Sequence, residues 1–185
     1  VLFGKVLDAR AAGGDGVFTY HLFEWITVGD FKLSFSFLLD PLSSLMLLII
    51  TGVGFLIHLY SYSYMLADAG FGKFFAYLNL FIFFMLLLVL GSNYLIMFIG
   101  WEGVGLCSYL LIGFWYKNAT YASAAKKAFV MNRLGDLGFL IAVFAIVATF
   151  GSLEYLTVFE KASAFPMGDA TLVLITLLLF VAATG

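Results

Sequence analysis

The 185-residue chain is 64% hydrophobic and 11% charged, where soluble domains carry roughly 25% charged residues, and its mean hydropathy is +1.09. So little polar surface cannot cover a water-soluble globule, and the chain reads as an integral membrane protein, a polytopic all-α bundle. A net charge of −2 supplies no basic field for nucleic acid, and the single cysteine, Cys107, excludes a disulfide framework, a zinc–thiolate site and an iron–sulfur cluster.

Val1 to Ser36 mixes charged and aromatic residues without a helical stripe and carries a turn signal at Gly13-Gly14-Asp15-Gly16. The expectation is an extramembrane loop on the membrane surface, with the alternating stretch Phe31 to Phe37 as a short strand or hairpin arm. The membrane part is expected over 37–185. Asp40 and Pro41 open its first span as N-cap and first helical residue, and it runs to about Tyr64. After a loop over Met65 to Gly72, the second span covers about Lys73 to Leu90, and Gly91-Ser92-Asn93 turns tightly into a third, from about Tyr94 to Trp115. A fourth span is expected from about Ala122 to Phe150. It exceeds the ~20 residues a bilayer needs, so it tilts or protrudes. Gly151 to Gly168 is polar and aromatic, and a fifth apolar run starts near Asp169 and reaches Gly185. The chain opens on Val1 with no signal-peptide pattern and stops inside that run, so the expectation is an internal segment of a longer protein.

Lys73, Lys117, Lys126 and Lys127 fall near the short connections on one side of the membrane, whereas Lys5, Arg10, Lys32 and Lys161 are spread over longer segments on the other. The lysine bias of short loops places the Lys117–Lys127 side in the cytoplasm.

Glu102 stands out because it interrupts an otherwise apolar span, in GWEGVGLCSYLLIGFW. It lies about ten residues into that span, roughly 15 Å at about 1.5 Å per residue, near the midplane. A carboxylate at that depth must be neutralised, paired or wet. It is either an inert structural group or a proton exchanger whose ionisation is set by desolvation against a nearby cation. Gly100, Gly103 and Gly105 flank it and admit a neighbouring helix or water, while Phe98, Gly105 and Tyr109 share its helical face. A second constellation, KKAFVMNRLGD, holds Lys126, Lys127, Asn132, Arg133 and Asp136. Arg133 and Asp136 are i,i+3 neighbours and can pair, and Lys126 shares a face with Arg133. This is either a wet charged track into the bundle or an Arg–Asp pair with lysines snorkelling to headgroups. His58 titrates near neutrality, so a proton role is open to it, although a histidine beside Tyr60, Tyr62 and Tyr64 also suits an aromatic belt. Trp101 and Trp115 read as packing or anchoring residues, and Cys107 as a small buried one.

The strings LDPLSSLMLLIITGVGFLIHLYSYSYM, FFAYLNLFIFFMLLLVL, GWEGVGLCSYLLIGFW and AAKKAFVMNRLGDLGF follow one another in order. This series resembles the antiporter-like large membrane subunits of respiratory complex I, of the subunit L type, with their mitochondrial and chloroplast equivalents. The likeness is strongest from about Phe37 to Phe150, and its most specific parts are the tryptophan–glutamate and NRLGD strings. It implies a fourteen-helix core of two inverted five-helix repeats with a long lateral helix, of which this chain covers helices three to six and the start of a broken seventh. The family's helix-five glutamate falls on Glu102 and its helix-six aspartate on Asp136, with Arg133 beside it. The helix-seven lysine that modulates the glutamate is expected beyond Gly185.

The resemblance implies a proton-translocating subunit of NADH:quinone oxidoreductase that couples quinone reduction to proton transport, in a bacterial plasma membrane or an organellar inner or thylakoid membrane. Glu102, Asp136, Arg133, Lys126, Lys127 and His58, in that order, are the expected proton-handling residues. No cofactor or metal is expected on this chain; flavin, iron–sulfur clusters and quinone are expected on partner subunits. The expected partners are the M- and N-type antiporter-like subunits and the lipid bilayer. Related readings are a subunit of an Mrp-type cation/proton antiporter or of a proton-coupled bicarbonate-uptake system, and an inert scaffold with a buried structural glutamate.

Overall fold

The computed structural model describes residues 2–29 and 31–185; Val1, on which the expected amino-terminal loop begins, and Asp30 lie outside the described residues. The elements run α1 (Leu2–Ala11), β1 (Phe18–Val28), β2 (Phe31–Leu39), α2 (Pro41–Met65), α3 (Phe71–Leu90), α4 (Tyr94–Ile112), α5 (Ala119–Phe150), α6 (Tyr155–Ala162) and α7 (Ala170–Thr184). Four of them, α2 to α5, are long and apolar enough to cross a membrane.

Helices α2, α4, α5 and α7 start where side-chain chemistry supplies what the open N-terminal amides lack, whereas α3 starts at Gly70 without a side-chain cap. Asp40 and Ser43 form a reciprocal capping box on α2, with Pro41 at the first position. Asn93 caps α4 by accepting from the Ile96 amide, Asn118 caps α5 through the Thr120 amide, and Asp169 caps α7 through Thr171 and Leu172. Helix α5 ends on Gly151, whose φ of +66° is the left-handed conformation that closes a helix without steric penalty. The helices pack in sequence, α2 on α3, α3 on α4 and α4 on α5, and α7 returns against α5. Large apolar side chains left open along α2, among them Leu45, Leu48, Leu56 and Leu59, suit contact with lipid chains rather than water.

The structure corrects the expected amino-terminal segment, the Gly151 to Gly168 connection and the ends of two helices. The amino-terminal segment is not a loop: it holds α1 and a two-stranded antiparallel hairpin. The strand arm expected over Phe31 to Phe37 extends to Leu39 and pairs with β1, from Val28↔Phe31 to Phe18↔Leu39, with register shifts at His21/Phe23 and Glu24/Ile26. The Gly151 to Gly168 connection carries the short helix α6, of which Val158 is buried while Leu156 and Phe159 are exposed. Helix α4 stops at Ile112 rather than Trp115, with Gly113 at its C-cap, and α5 begins at Ala119 rather than Ala122, because the Asn118 cap sits four residues ahead of Ala122.

The hairpin is fastened to the bundle at one end. Leu33 of β2 joins the buried cluster of Phe139, Val143, Ile146, Phe150, Leu153 and Val158. Beside it, Glu154 accepts from Ser34 Oγ at 2.8 Å, Ser92 Oγ at 3.3 Å and Asn93 Nδ2 at 3.4 Å. The Asn93 amide also donates to the Ser34 carbonyl at 2.9 Å. This polar knot ties β2, the α3–α4 turn and the α5–α6 connection together.

Candidate functional site: a three-charge network between α4 and α5

The residues of α4 that share one helical face meet a matching face of α5. Tyr109 rests on Phe129 with ring centroids 5.3 Å apart, Phe98 on Phe139 at 5.3 Å and Trp101 on Phe139 at 5.7 Å. A Cβ at Gly105 would lie 3.6 Å from the Asn132 amide. These contacts bracket the charged residues and bring Glu102 of α4 opposite Arg133 of α5. One guanidinium nitrogen of Arg133 binds Glu102 Oε2 in a close ion pair, and the same nitrogen stands 3.4 Å from Asp136 Oδ2. Phe129, one turn back, lies under the guanidinium carbon at 4.6 Å from the ring centroid.

Asp136 has a second partner. Its Oδ1 accepts from the Trp101 indole N–H at 3.0 Å. Two adjacent residues of α4 therefore bind two residues one turn apart on α5. Burial increases from Arg133 through Glu102 to Asp136, whose side chains are 43%, 23% and 10% exposed. Beside the network lies a cavity of about 220 Å³, lined by Leu88, Trp101, Val104, Gly105, Asn132, Asp136 and Gly185. Its walls are mostly apolar, and Asn132, Asp136 and the Trp101 indole supply the polar groups that could hold water there.

Close approach of the backbone makes this arrangement possible. A Cβ at Gly100 would fall 2.5 Å from the Leu88 amide nitrogen, and one at Gly103 would meet the Phe84 ring at 2.2 Å. The flanking glycines thus let α3 press against α4, whereas Gly105 faces the α5 side.

The remaining candidates lie apart. Lys126 lines a different cavity of about 200 Å³ with Lys73, Tyr77, Tyr109 and Tyr116, and the Lys73 ammonium sits over the rings of Tyr77 and Tyr116 at 5.7 and 5.5 Å. Lys127 is exposed and lines neither cavity. The His58 Nδ1–H donates to the Gly54 carbonyl at 2.7 Å, the ring tilts against Phe75, and Nε2 is buried without a partner among the described residues. No hydrogen bond or ion pair among the described residues joins His58 to Glu102, Arg133 or Asp136. Trp101, read from sequence as a packing residue, is the functional candidate that sequence reasoning missed; only its adjacency to Glu102 pointed to it. No group of three His, Cys, Asp or Glu side chains among the described residues is placed to hold a metal ion.

Residues 91–185, half of the chain, match the family model described as NADH:quinone oxidoreductase/Mrp antiporter, TM. The chain belongs to this antiporter membrane family. Residues 25–75 match a second model, the N-terminus of NADH-ubiquinone oxidoreductase (complex I) chain 5. Among curated relatives, the NADH-quinone oxidoreductase subunit L of Escherichia coli is 47% identical over 175 residues, covering 94% of this chain and 28% of the relative. Subunit L of Mycobacterium tuberculosis is 49% identical over 164 residues, 87% of this chain and 26% of the relative. Chain 5 of NADH-ubiquinone oxidoreductase from Rhizopus stolonifer is 48% identical over 164 residues, 89% of this chain and 25% of the relative. The chain thus spans little more than a quarter of the length of the curated relatives it matches. Among solved structures, the Mrp complex of a Dietzia species superposes with a TM-score of 0.76 at 25% identity, over 98% of this chain and 19% of that one. The archaeal membrane-bound sulfane sulfur reductase, at TM-score 0.61 and 23% identity over 97% of this chain and 27% of that one, shares the fold.

Proposed function

We propose that this family member is part of a proton-translocating membrane subunit of NADH:quinone oxidoreductase, an enzyme complex in which quinone reduction drives proton transport. The observation that carries the reading is the membrane-embedded Glu102, paired with an arginine that a second carboxylate also contacts. An ion pair at about 4 Å is worth on the order of 4 kcal/mol at an effective dielectric constant of ~20, and less where solvent screens the open side of Arg133. Displacing Arg133 from Glu102 therefore changes the balance between an ionised and a protonated carboxylate. The cavity beside Asp136 would place any water it holds next to the second carboxylate of the network.

On this reading the chain carries no redox centre or cofactor of its own. Flavin, iron–sulfur clusters and quinone belong to partner subunits, and the subunit sits among the M- and N-type antiporter-like subunits. The bacterial relatives at 47–49% identity support a bacterial plasma membrane, with an organellar inner membrane as the counterpart of the fungal chain. The superposition on the Mrp complex supports a second reading, a cation/proton antiporter subunit, at lower identity than the complex I relatives.

The test is donor-driven proton pumping in membrane vesicles that carry the full-length protein, wild type against Glu102→Gln. Glutamine is nearly isosteric and cannot ionise. Collapse of pumping and of coupled quinone reduction in an assembled complex supports the reading. Normal rates for both make Glu102 structural and sink it.

A further inference from the structure

The Trp101 indole contacts the network at a point that proton exchange at Glu102 does not explain. It donates its only N–H to Asp136 Oδ1, which leaves Oδ2 turned towards Arg133 at 3.4 Å. The ring is fixed in turn by Phe139, which is buried. An indole N–H does not titrate in this range, so it holds the Asp136 carboxylate whatever the state of Glu102. We propose that Trp101 is a positioning residue that holds Asp136 as the parking site for Arg133 when Glu102 takes up a proton.

The step balances simply. A proton arriving at Glu102 Oε2 neutralises that carboxylate and displaces the guanidinium. The guanidinium keeps its own charge and closes the short gap to Asp136 Oδ2. Loss of the proton from Glu102 reverses the move. Without a second carboxylate, the displaced arginine would be an unpaired cation at membrane depth, which opposes protonation. Without Trp101, that carboxylate is free to turn towards Arg133 permanently or away from it. Glu102 and Arg133 are the ionisable groups that meet Asp136 among the described residues. Helix α7 carries none, and on α3 Lys73 and Tyr77 line the separate cavity with Lys126. The inference rests on the proton-exchange reading of Glu102.

The experiments use the full-length protein in its assembled complex. The structure of the Glu102→Gln variant, which mimics the protonated carboxyl, is expected to show Arg133 within hydrogen-bond distance of Asp136 and the Trp101 N–H still on Oδ1. Arg133 pointing elsewhere, or Asp136 turned off the indole, overturns the proposal. Trp101→Phe keeps an aromatic ring against Phe139 and removes the donor. It is expected to lower the pumping rate roughly tenfold, the worth of one hydrogen bond to a charged group. In an Asp136→Asn background it should add nothing further, whereas losses that multiply overturn the proposal. The carboxylate stretching band assigned by its loss in Asp136→Asn should shift in Trp101→Phe, and a pure packing role leaves it in place. If Trp101→Phe does not assemble, the Glu102→Gln structure decides alone. Normal pumping in Glu102→Gln refutes the proton-exchange reading itself. Abolished pumping there with wild-type rates in Trp101→Phe refutes only the indole's role.

Discussion

Glu102 and Arg133, 31 positions apart in sequence, form an ion pair that joins α4 to α5 inside the membrane-spanning bundle. The pair is asymmetric. Glu102 has one cation among the described residues, whereas Arg133 faces two carboxylates. Removing the arginine therefore leaves two negative charges close together with no counter-ion among the described residues, and removing the glutamate leaves the arginine still matched by Asp136.

Arg133→Gln is accordingly expected to be more damaging than Glu102→Gln to the stability of the full-length protein. Breaking a fully buried pair costs about 3–5 kcal/mol. With the Arg133 side chain 43% exposed, solvent screening brings the expectation to roughly 1–3 kcal/mol. The double variant Glu102→Gln/Arg133→Gln should recover part of that loss, since one of the stranded charges is gone. Thermal unfolding of the three variants in native membranes measures this, and strictly additive losses would show that the two residues do not interact.

Gly100 and Gly105 face opposite neighbours, and alanine distinguishes them. At Gly100 a methyl group meets the Leu88 backbone at 2.5 Å, which no side-chain rotation can relieve. Gly100→Ala is expected to force α3 and α4 apart and to destabilise the bundle by about 1–3 kcal/mol. At Gly105 the nearest atom is the Asn132 side-chain amide at 3.6 Å, an ordinary contact, so Gly105→Ala should stay within about 0.5 kcal/mol of wild type. A melting-temperature series in detergent separates the two, and equal effects would contradict the packing described.

What was legible in the sequence follows the range of each interaction. Asp40 and Pro41 announced the start of α2 because capping acts within three residues, and the Arg133–Asp136 contact was readable as an i,i+3 pair. The strand β1 was not readable: Phe18 to Val28 is exposed along nearly its whole length, so no alternation of burial patterned its residues. Helix α1 was missed for a similar reason, since few of its residues are buried. The Glu102–Arg133 and Trp101–Asp136 contacts depend on which faces of α4 and α5 meet. A single sequence states each helical face but not how two faces are docked.

The polar knot under the hairpin hangs on Asn93, which is fully buried. Its Oδ1 caps α4 at the Ile96 amide while its Nδ2 donates to the Ser34 carbonyl, so one side chain ends a helix and holds a strand. Asn93→Ala is expected to cost about 1–3 kcal/mol, a lost cap together with an unsatisfied buried carbonyl. Hydrogen exchange should accelerate selectively in β2 and in the first turn of α4. Unchanged protection in β2 would mean that Leu33 and the apolar cluster fasten the hairpin without the knot.

Asp68, in the connection between α2 and α3, gives the chain an acid-sensitive clasp outside the membrane-spanning helices. The Trp115 indole N–H donates to its Oδ2 at 2.9 Å and the Gly70 amide to its Oδ1 at 2.6 Å. These two bonds, the indole's first, hold its carboxyl below the ordinary value of 3.8. A group whose folded pKa is depressed contributes its stabilisation in full above the unfolded value. That contribution fades as pH falls from about 3.8 through the lower folded value, because the unfolded chain then binds the proton first. The clasp is therefore intact at neutral pH and opens in strong acid, freeing Trp115 from the connection. Trp115 fluorescence, read as the difference between the full-length protein in vesicles and its Trp115→Phe variant on acid titration, should show a transition below the ordinary carboxylate range. Asp68→Asn should abolish it, because an amide has no proton to gain there. A transition that persists in Asp68→Asn would assign the acid sensitivity to another carboxylate.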